Sequence, residues 1–277
     1  MNIKGKNENV IYSHRNISDL RKDPFSASGA FLVPFVGRIP EGYYVFDGVR
    51  YEFEEKNVKH GLLYDRKWTI KSVDEKFGRV IFSYRIKEDE FESYPFDLSI
   101  DVEFSLSTKG LKVVTFFKNT GSKSLPLSFG WHPYFRLFDE DIDKYVLKIP
   151  AEKIIVLDDV RKIPTGVEER VRGSCYDFSY GKKIKEIVMD TVFSGIVFDG
   201  DKAFTYLTCC GSGVKIWQTY PYKYIVVYTP AHRKSIAIEP WSSAPNSYNM
   251  HRLGLIRLAP NQTITASFGV QKYSSLR

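Results

Sequence analysis

Hydrophobic and polar residues alternate at every second position in several stretches of this chain. The clearest stretch runs over residues 96–106, and its apolar members are Phe96, Leu98, Ile100, Val102, Phe104 and Leu106. Because successive side chains of a strand point to opposite faces, this pattern predicts an extended strand with one apolar face. A similar stretch at 80–86 precedes it, and another at 111–117 follows a turn at Thr108-Lys109-Gly110. Together they predict an antiparallel meander.

The rest of the chain also favours strands over helices. Further predicted strands are 43–46, 49–53, 145–149, 153–157, 203–208, 214–219, 224–229, 235–238 and 263–270. Turns are predicted between strands at Asp47-Gly48, Asn119-Thr120-Gly121 and Thr165-Gly166. No stretch of twelve or more residues has a convincing helical period. Many strands of modest length predict an all-β fold, a large antiparallel two-sheet β-sandwich, formed as a single domain over residues 1–277.

Composition and charge narrow the classes of function. The chain is 43% hydrophobic and 26% charged, and its 20 Phe, 18 Tyr and 4 Trp favour strands and sugar-binding or apolar pockets. The formal net charge is +7, but the basic residues are spread along the chain, and no motif for nucleic acid accompanies them. We therefore expect no nucleic-acid partner.

The cysteines and the N-terminus predict a location. Cys175, Cys209 and Cys210 show neither a disulfide framework nor metal-ligand spacing. Residues 1–10 are polar, and the longest apolar stretch, 30–36, is far below the roughly 20 residues that a membrane helix needs. The sequence thus predicts a cytoplasmic protein without a membrane partner.

Two residues far apart in the sequence carry the strongest chemical indication. His132 lies in Phe129-Gly130-Trp131-His132-Pro133-Tyr134-Phe135, among four aromatic rings, and Glu239 lies in Ile238-Glu239-Pro240-Trp241. An imidazole that titrates near neutrality and a carboxylate can exchange protons with a substrate. The residues alone also fit a core histidine held by a backbone partner.

Three other positions place a polar group among turn or apolar residues. Arg38 lies between two prolines and can direct its planar donor group at a ligand hydroxyl or at a structural carboxylate. His60 precedes a glycine, and Asp190 is flanked by apolar residues, where an acid often only caps a turn. No cluster has metal-ligand spacing, and neither a nucleotide-binding glycine loop nor a serine-hydrolase elbow occurs. We therefore expect neither a metal nor a bound nucleotide.

In order and approximate spacing, the chain resembles the aldose 1-epimerases, or galactose mutarotases, roughly from residue 25 to 270. The matching residues are Arg38, His60-Gly61, Trp68, His132-Pro133-Tyr134-Phe135, Ile163-Pro164-Thr165-Gly166, Tyr176-Asp177-Phe178, Asp190 and Glu239-Pro240. The resemblance implies a galactose mutarotase-like supersandwich whose concave face holds one sugar without a cofactor.

The same resemblance implies roles for individual residues. Glu239 matches the general base of the family and His132 its general acid. Arg38, His60 and Asp190 match residues that bind sugar hydroxyls or support the acid.

The implied reaction interconverts the α and β anomers of a monosaccharide. It needs one base at O1 and one acid at the ring oxygen, and each such group typically contributes about 10²–10⁴-fold. Burial would raise the pKa of Glu239 unless a neighbouring cation offsets it. Phe193 and Trp241 are candidates for packing on the apolar face of the pyranose.

Two departures from the family pattern leave the substrate open. Gly37 stands where Asn commonly precedes the arginine, and Arg136 stands where Asn is frequent. The alternatives are a hexose-6-phosphate 1-epimerase, with Arg66 and Arg136 as phosphate ligands, and a noncatalytic carbohydrate-binding protein on the same fold. The expected partner is a small-molecule sugar, and the expected assembly is a monomer or homodimer.

Overall fold

Antiparallel strands dominate the protein. Its structure, a computed structural model, describes residues 2–3, 6–7, 9–13 and 29–274. The strands of the first half are β1 (Asn2–Ile3), β2 (Lys6–Asn7), β3 (Ile11–Tyr12), β4 (Ala30–Leu32), β5 (Arg38–Ile39), β6 (Tyr43–Phe46), β7 (Val49–Glu52), β8 (Val58–Lys59), β9 (Thr69–Asp74), β10 (Arg79–Ile86), β11 (Leu98–Ser107), β12 (Gly110–Asn119) and β13 (Leu125–Leu127). Those of the second half are β14 (Gly130–His132), β15 (Tyr134–Phe135), β16 (Val146–Lys148), β17 (Ala151–Leu157), β18 (Pro164–Arg170), β19 (Lys182–Lys183), β20 (Asp190–Ile196), β21 (Lys202–Cys209), β22 (Ser212–Thr219), β23 (Tyr224–Tyr228), β24 (Ile236–Trp241), β25 (Ile256–Leu258) and β26 (Thr263–Ser274).

The helices of the described residues are short 3-10 turns. They are Pro40–Gly42, Glu75–Phe77, Ile142–Lys144 and His251–Leu253. Within the described ranges, none is long and apolar enough to cross a bilayer. The polar N-terminal stretch 1–10, on which the prediction of location partly rests, lies partly outside the described residues.

Two nine-stranded sheets form the body of the protein. Sheet I has the order β19-β16-β21-β22-β26-β12-β11-β10-β9. Sheet II has the order β18-β17-β20-β23-β24-β14-β4, and β15 pairs with β24 and with β3 at its side. Neighbouring strands are antiparallel throughout both sheets. The predicted all-β fold with two large antiparallel sheets is confirmed.

The predicted meander forms the β10–β11–β12 part of sheet I. Ile100 pairs with Tyr84 on one side and with Phe117 on the other. Its side chain is fully buried in the core, as alternation predicts, whereas Leu106 is 65% exposed. Leu106 lies at the end of the hairpin, just before the turn, and is not covered by the opposite sheet.

One predicted turn is wrong. Thr165-Gly166 lies inside β18, which pairs with β17. Gly166 has a φ of 94°, and the register of the β17–β18 pair shifts between Ile155 and Leu157. A glycine with positive φ inside a ladder is typical of a β-bulge, so the glycine marks an irregularity within a strand and not its end.

Candidate active site

A cavity of about 660 Å³ opens on the outer face of sheet II. It is lined by Gly37, Arg38, Lys59, His60, His132, Tyr134, Leu157, Lys162, Asp190, Val192, Val226, Tyr228, Pro230, Ala231, His232, Glu239, Trp241 and Pro245. Its size is within the range typical of small-molecule sites. Eight of its eighteen lining residues carry an ionisable Arg, Lys, His, Asp or Glu side chain.

Strand register explains why apolar side chains lie beside the Glu239 carboxyl in the floor of this cavity. Glu239 on β24 pairs with Val226 on β23, Val226 pairs with Val192 on β20, and Val192 pairs with Ile155 on β17. Side chains directly opposite each other in an antiparallel ladder share one face. Glu239 therefore stands at the end of a row of branched aliphatic side chains, where water has little access.

Burial dominates the electrostatics of Glu239. The residue is 1% exposed, and this loss of water raises the pKa of its carboxyl well above the usual range. Trp241 Nε1 donates a hydrogen bond of 3.0 Å to Oε2, which acts in the opposite direction, and the charge of Asp190 adds to the rise. A carboxyl with a raised pKa is a stronger proton acceptor once it is ionised.

His132 brings an imidazole to the same carboxyl. Its Nδ1 lies 3.4 Å from Oε1 of Glu239, slightly beyond the usual hydrogen-bond range of about 2.7–3.2 Å. The ring stacks on Tyr134, with centroids 4.9 Å apart and planes 14° apart. Successive side chains of β14 point to opposite faces, so His132 faces the cavity while Trp131 packs in the core.

His60 forms the third side of this cluster. Its ring meets those of His132 and Trp241 edge-on, at centroid distances of 5.6 and 5.9 Å. Burial lowers the pKa of His60 well below its ordinary value, and the charges of His132, Lys59 and Arg38 lower it further. His60 is thus a neutral imidazole at neutral pH and can donate or accept a hydrogen bond without carrying charge.

Two glycines provide the space that this arrangement needs. A Cβ on Gly130 would lie 2.6 Å from Cδ1 of Trp241, so the indole occupies the place of a side chain. A Cβ on Gly61 would lie 2.2 Å from the carbonyl oxygen of Val33, which fixes the backbone next to His60. Gly61 has a φ of 83°, a conformation that other residues rarely adopt.

A basic wall faces the carboxyl group. Arg38 on β5 and Lys59 on β8 are direct partners in a two-stranded ribbon, and both line the cavity. Within the described residues, no carboxylate lies at ion-pair distance from the Arg38 guanidinium. Like charges opposite each other in a ladder are unfavourable, so a bound group that accepts hydrogen bonds would stabilise this pair.

The structure brings together six of the seven residues predicted for the site. Those that line the cavity are Arg38, His60, His132, Asp190, Glu239 and Trp241. Phe193 is the exception, because it is 1% exposed and packs in the core between the sheets. It lies on the opposite face of β20 from Val192, so the structure contradicts its predicted contact with a sugar.

The basic residues proposed for a phosphate are also elsewhere. Neither Arg66 nor Arg136 lines the cavity. Arg66 is exposed and lies over the Phe91 ring, and Arg136 pairs with Asp139 at a distance of 3.1 Å. Among the lining residues that the sequence analysis missed, Lys59, Lys162 and His232 are the basic ones. Lys59 directly precedes His60, which is the one local indication of its position.

Comparison with known proteins gives the family. The model of the aldose 1-epimerase family matches residues 1–271. The chain belongs to the aldose 1-epimerase family. Among the described residues of this family member, no three His, Cys, Asp or Glu side chains are grouped as metal ligands.

Individual relatives are distant. An uncharacterized protein of Escherichia coli (strain K12), YihR, is 27% identical over 240 residues, which are 82% of this chain and 73% of that protein. The maltose epimerase of Levilactobacillus brevis is 25% identical over 192 residues, 66% of this chain and 55% of that enzyme. A crystal structure of a galactose mutarotase-like protein from Clostridium acetobutylicum has a TM-score of 0.86 and 22% identity, with coverage of 96% and 86%. At this identity the structural likeness shows the fold.

Proposed function

We propose that this protein is an aldose 1-epimerase that interconverts the α and β anomers of a monosaccharide by acid–base ring opening and closure. The observation that carries the proposal is the approach of His132 Nδ1 to Glu239 Oε1, at 3.4 Å, in the wall of one cavity. The two side chains belong to different strands, β14 and β24, and meet only through the sheet.

Ring opening uses both groups at once. The Glu239 carboxylate accepts the O1 proton while the His132 imidazolium donates a proton to the ring oxygen, and the bond between C1 and that oxygen breaks. The product is the open-chain aldehyde. Because each partner assists the other, neither a free alkoxide nor an oxocarbenium ion has to form in the buried site.

Ring closure returns both protons. After rotation about the C1–C2 bond, the hydroxyl gives its proton back to His132 and attacks the other face of the aldehyde. The carbonyl oxygen takes the proton held by Glu239. Acid and base are thereby reset without an external proton, so the reaction needs only these two groups, and we propose neither a metal nor a cofactor.

The remaining cavity residues orient the sugar in this proposal. The guanidinium of Arg38, neutral His60 and the Asp190 carboxylate bind hydroxyl groups. We assign Trp241 to holding the Glu239 carboxyl through its indole N–H, in addition to the packing role expected from the sequence.

Polarimetry tests the proposal. Addition of enzyme to a fresh solution of one crystalline anomer should speed the approach to equilibrium for at least one aldose of a small panel. Glu239→Gln and His132→Ala should each lower kcat by at least ~10²-fold while circular dichroism stays unchanged. Exhaustive chelation should leave the rate intact.

The double variant gives a sharper criterion. Since both groups act in one proton relay, its loss should be well short of the product of the two single losses. Full activity in either single variant would remove the assignment and favour a noncatalytic sugar-binding protein.

A hexose-6-phosphate 1-epimerase stays the second candidate, on new grounds. Arg38 and Lys59 sit side by side on the cavity wall and match the charge of a phosphate. Arg38→Lys should then abolish turnover of a hexose 6-phosphate and leave that of the free hexose unchanged. Equal losses on both substrates would leave the free aldose as the substrate.

Location, domain and assembly stay predictions. We propose a cytoplasmic protein, a single domain over residues 1–277, and a monomer or homodimer. The proposed cytoplasmic location rests on cysteines in thiol form without a disulfide framework. Size-exclusion chromatography with light scattering tests the last.

A further inference from the structure

A second chemically unusual place lies in sheet I, at the tip of the β21–β22 hairpin. Cys210 and Gly211 form a two-residue turn, closed by the pair Cys209 and Ser212. Their φ values are 53° and 79°, the pattern of a type I′ turn. This turn favours Asn-Gly or Asp-Gly, so turn chemistry does not explain a cysteine at its first position.

The turn brings two thiols together. Sγ of Cys209 lies 3.5 Å from Sγ of Cys210. Cys209 is 3% exposed and packs in the core, whereas Cys210 is exposed at the surface. The third cysteine, Cys175, is exposed, and the cysteine contact that the structure records is between the other two.

The distance between the two sulfur atoms indicates which kind of atom or bond could join them. A disulfide has a bond of about 2.05 Å and usually Cα atoms about 4.4–6.8 Å apart, whereas adjacent residues hold them about 3.8 Å apart, so a disulfide here would be strained. An atom bound to both sulfurs by bonds of about 2.3 Å would make an angle of about 100° at the observed distance. An ion that binds two thiolates in line would need sulfurs about 4.6 Å apart at the same bond length.

The surroundings of the two thiols exclude a tetrahedral metal ion as the bridging atom. A tetrahedral ion such as zinc requires four ligands, and no third His, Cys, Asp or Glu joins the two thiols among the described residues. The remaining class of bridging atom is a three-coordinate, pyramidal centre that binds both sulfurs and already carries a third substituent. Trivalent organoarsenic compounds have this geometry.

We infer that Cys209 and Cys210 form a bidentate site for a trivalent organoarsenical or a similar thiophilic electrophile with two exchangeable groups. The reaction is a condensation without change of oxidation state. Two As–O bonds of R–As(OH)₂ break and two As–S bonds form, and each thiol proton leaves with a hydroxyl group as water.

The protonation of the buried thiol agrees with this chemistry. Burial raises the pKa of Cys209 to about 11, and the neighbouring Cys210 adds to the rise. Cys209 is therefore a thiol at neutral pH, which is the form that the condensation consumes. Exposed Cys210 makes the first bond, and Cys209 closes the ring in an intramolecular step.

The test uses the full-length native protein and phenylarsine oxide, which is R–As(OH)₂ in water with a phenyl group as R. Intact-mass spectrometry should show one phenylarsenic group per chain, with loss of two waters. An added vicinal dithiol, 2,3-dimercaptopropanol, should remove it, whereas excess mercaptoethanol should not. Two-point attachment should give at least ~10²-fold tighter binding than one-point attachment.

The chain provides matched variants. Cys210→Asn places a preferred residue in the type I′ turn, so the fold should be kept while the dithiol-resistant adduct is lost. Cys209→Ala should lose it as well, and Cys175→Ser should keep it. Three results would overturn the site: an adduct that persists in Cys210→Asn, an adduct that is lost in Cys175→Ser, or an adduct that mercaptoethanol removes. The sulfur contact would then be a structural S–H···S hydrogen bond. Since the readout is mass, the result does not depend on the proposed epimerase activity.

Discussion

Trp241 Nε1 donates a hydrogen bond of 3.0 Å to Oε2 of Glu239, two residues earlier on the same face of β24. The contact lies beside a carboxyl whose pKa burial raises well above its usual range. It favours the ionised form and so acts on the group that we propose as the acceptor of the sugar proton. The tryptophan is therefore a positioning residue for the proposed base.

Replacing this donor should move the pH profile of the reaction. A hydrogen bond to a charged group contributes about 1.5–3 kcal/mol, and one pKa unit corresponds to about 1.4 kcal/mol. In Trp241→Phe we expect the acidic limb of log kcat against pH to shift upwards by about one to two units. Trp217→Phe, on sheet I and away from the cavity, is the matched control and should not shift. An unchanged limb in Trp241→Phe would show that the indole only fills space.

Gly130 should act through the same indole. A Cβ at this position would lie 2.6 Å from Cδ1 of Trp241, so Gly130→Ala should displace the ring and lengthen its bond to Glu239. We expect a pH profile shifted in the same direction as in Trp241→Phe. Adding Gly130→Ala to Trp241→Phe should produce no further shift, whereas additive shifts would place Gly130 outside this contact.

Stability should depend on pH through Glu239. Its pKa in the folded protein lies well above 4.5, so between 4.5 and that higher value the folded state binds more protons than the unfolded state. Its contribution to stability is therefore fully present below pH 4.5 and is lost as pH rises through the folded pKa, by up to about 1.4 kcal/mol per pH unit. Glu239→Gln should thus be stabilised relative to wild type at pH 8 more than at pH 4, as measured by urea unfolding. Glu54→Gln, at an exposed position, should follow wild type, and an equal effect at both pH values would contradict the raised pKa.

Restoring the family's asparagine at position 37 should fail. From the sequence alone, Gly37→Asn is expected to tighten KM for one epimer by supplying a hydrogen bond, provided that position 37 does not need a positive φ. In the structure Gly37 has a φ of 63°, and a Cβ there would lie 2.8 Å from Cα of Pro245. Asn tolerates this φ, but the backbone of Pro245 cannot yield as a flexible side chain would. We expect a lower melting temperature and a raised KM, and a tightened KM at unchanged stability would refute this argument.

The sequence by itself determined the alternation-based parts of the fold. Where one face of a strand meets the core and the other is polar, as from Leu98 to Val102, the pattern gives both the strand and the direction of its side chains. The local motifs around His132 and Glu239 likewise identified the two groups that the sheet brings together. Both results depend on neighbours in sequence, which a single chain displays.

Tertiary structure alone decided which side chains of doubly buried strands face the cavity. Thr191, Val192, Phe193 and Ser194 on β20 are all buried, so no alternation of polarity distinguishes the two faces. Only the register with β23 places Val192 in the floor of the cavity and Phe193 in the core. A one-residue slip would exchange them. The basic wall was hidden for the same reason, because Arg38 and Lys59 become neighbours through a pairing between strands that are twenty residues apart and carry almost no local pattern.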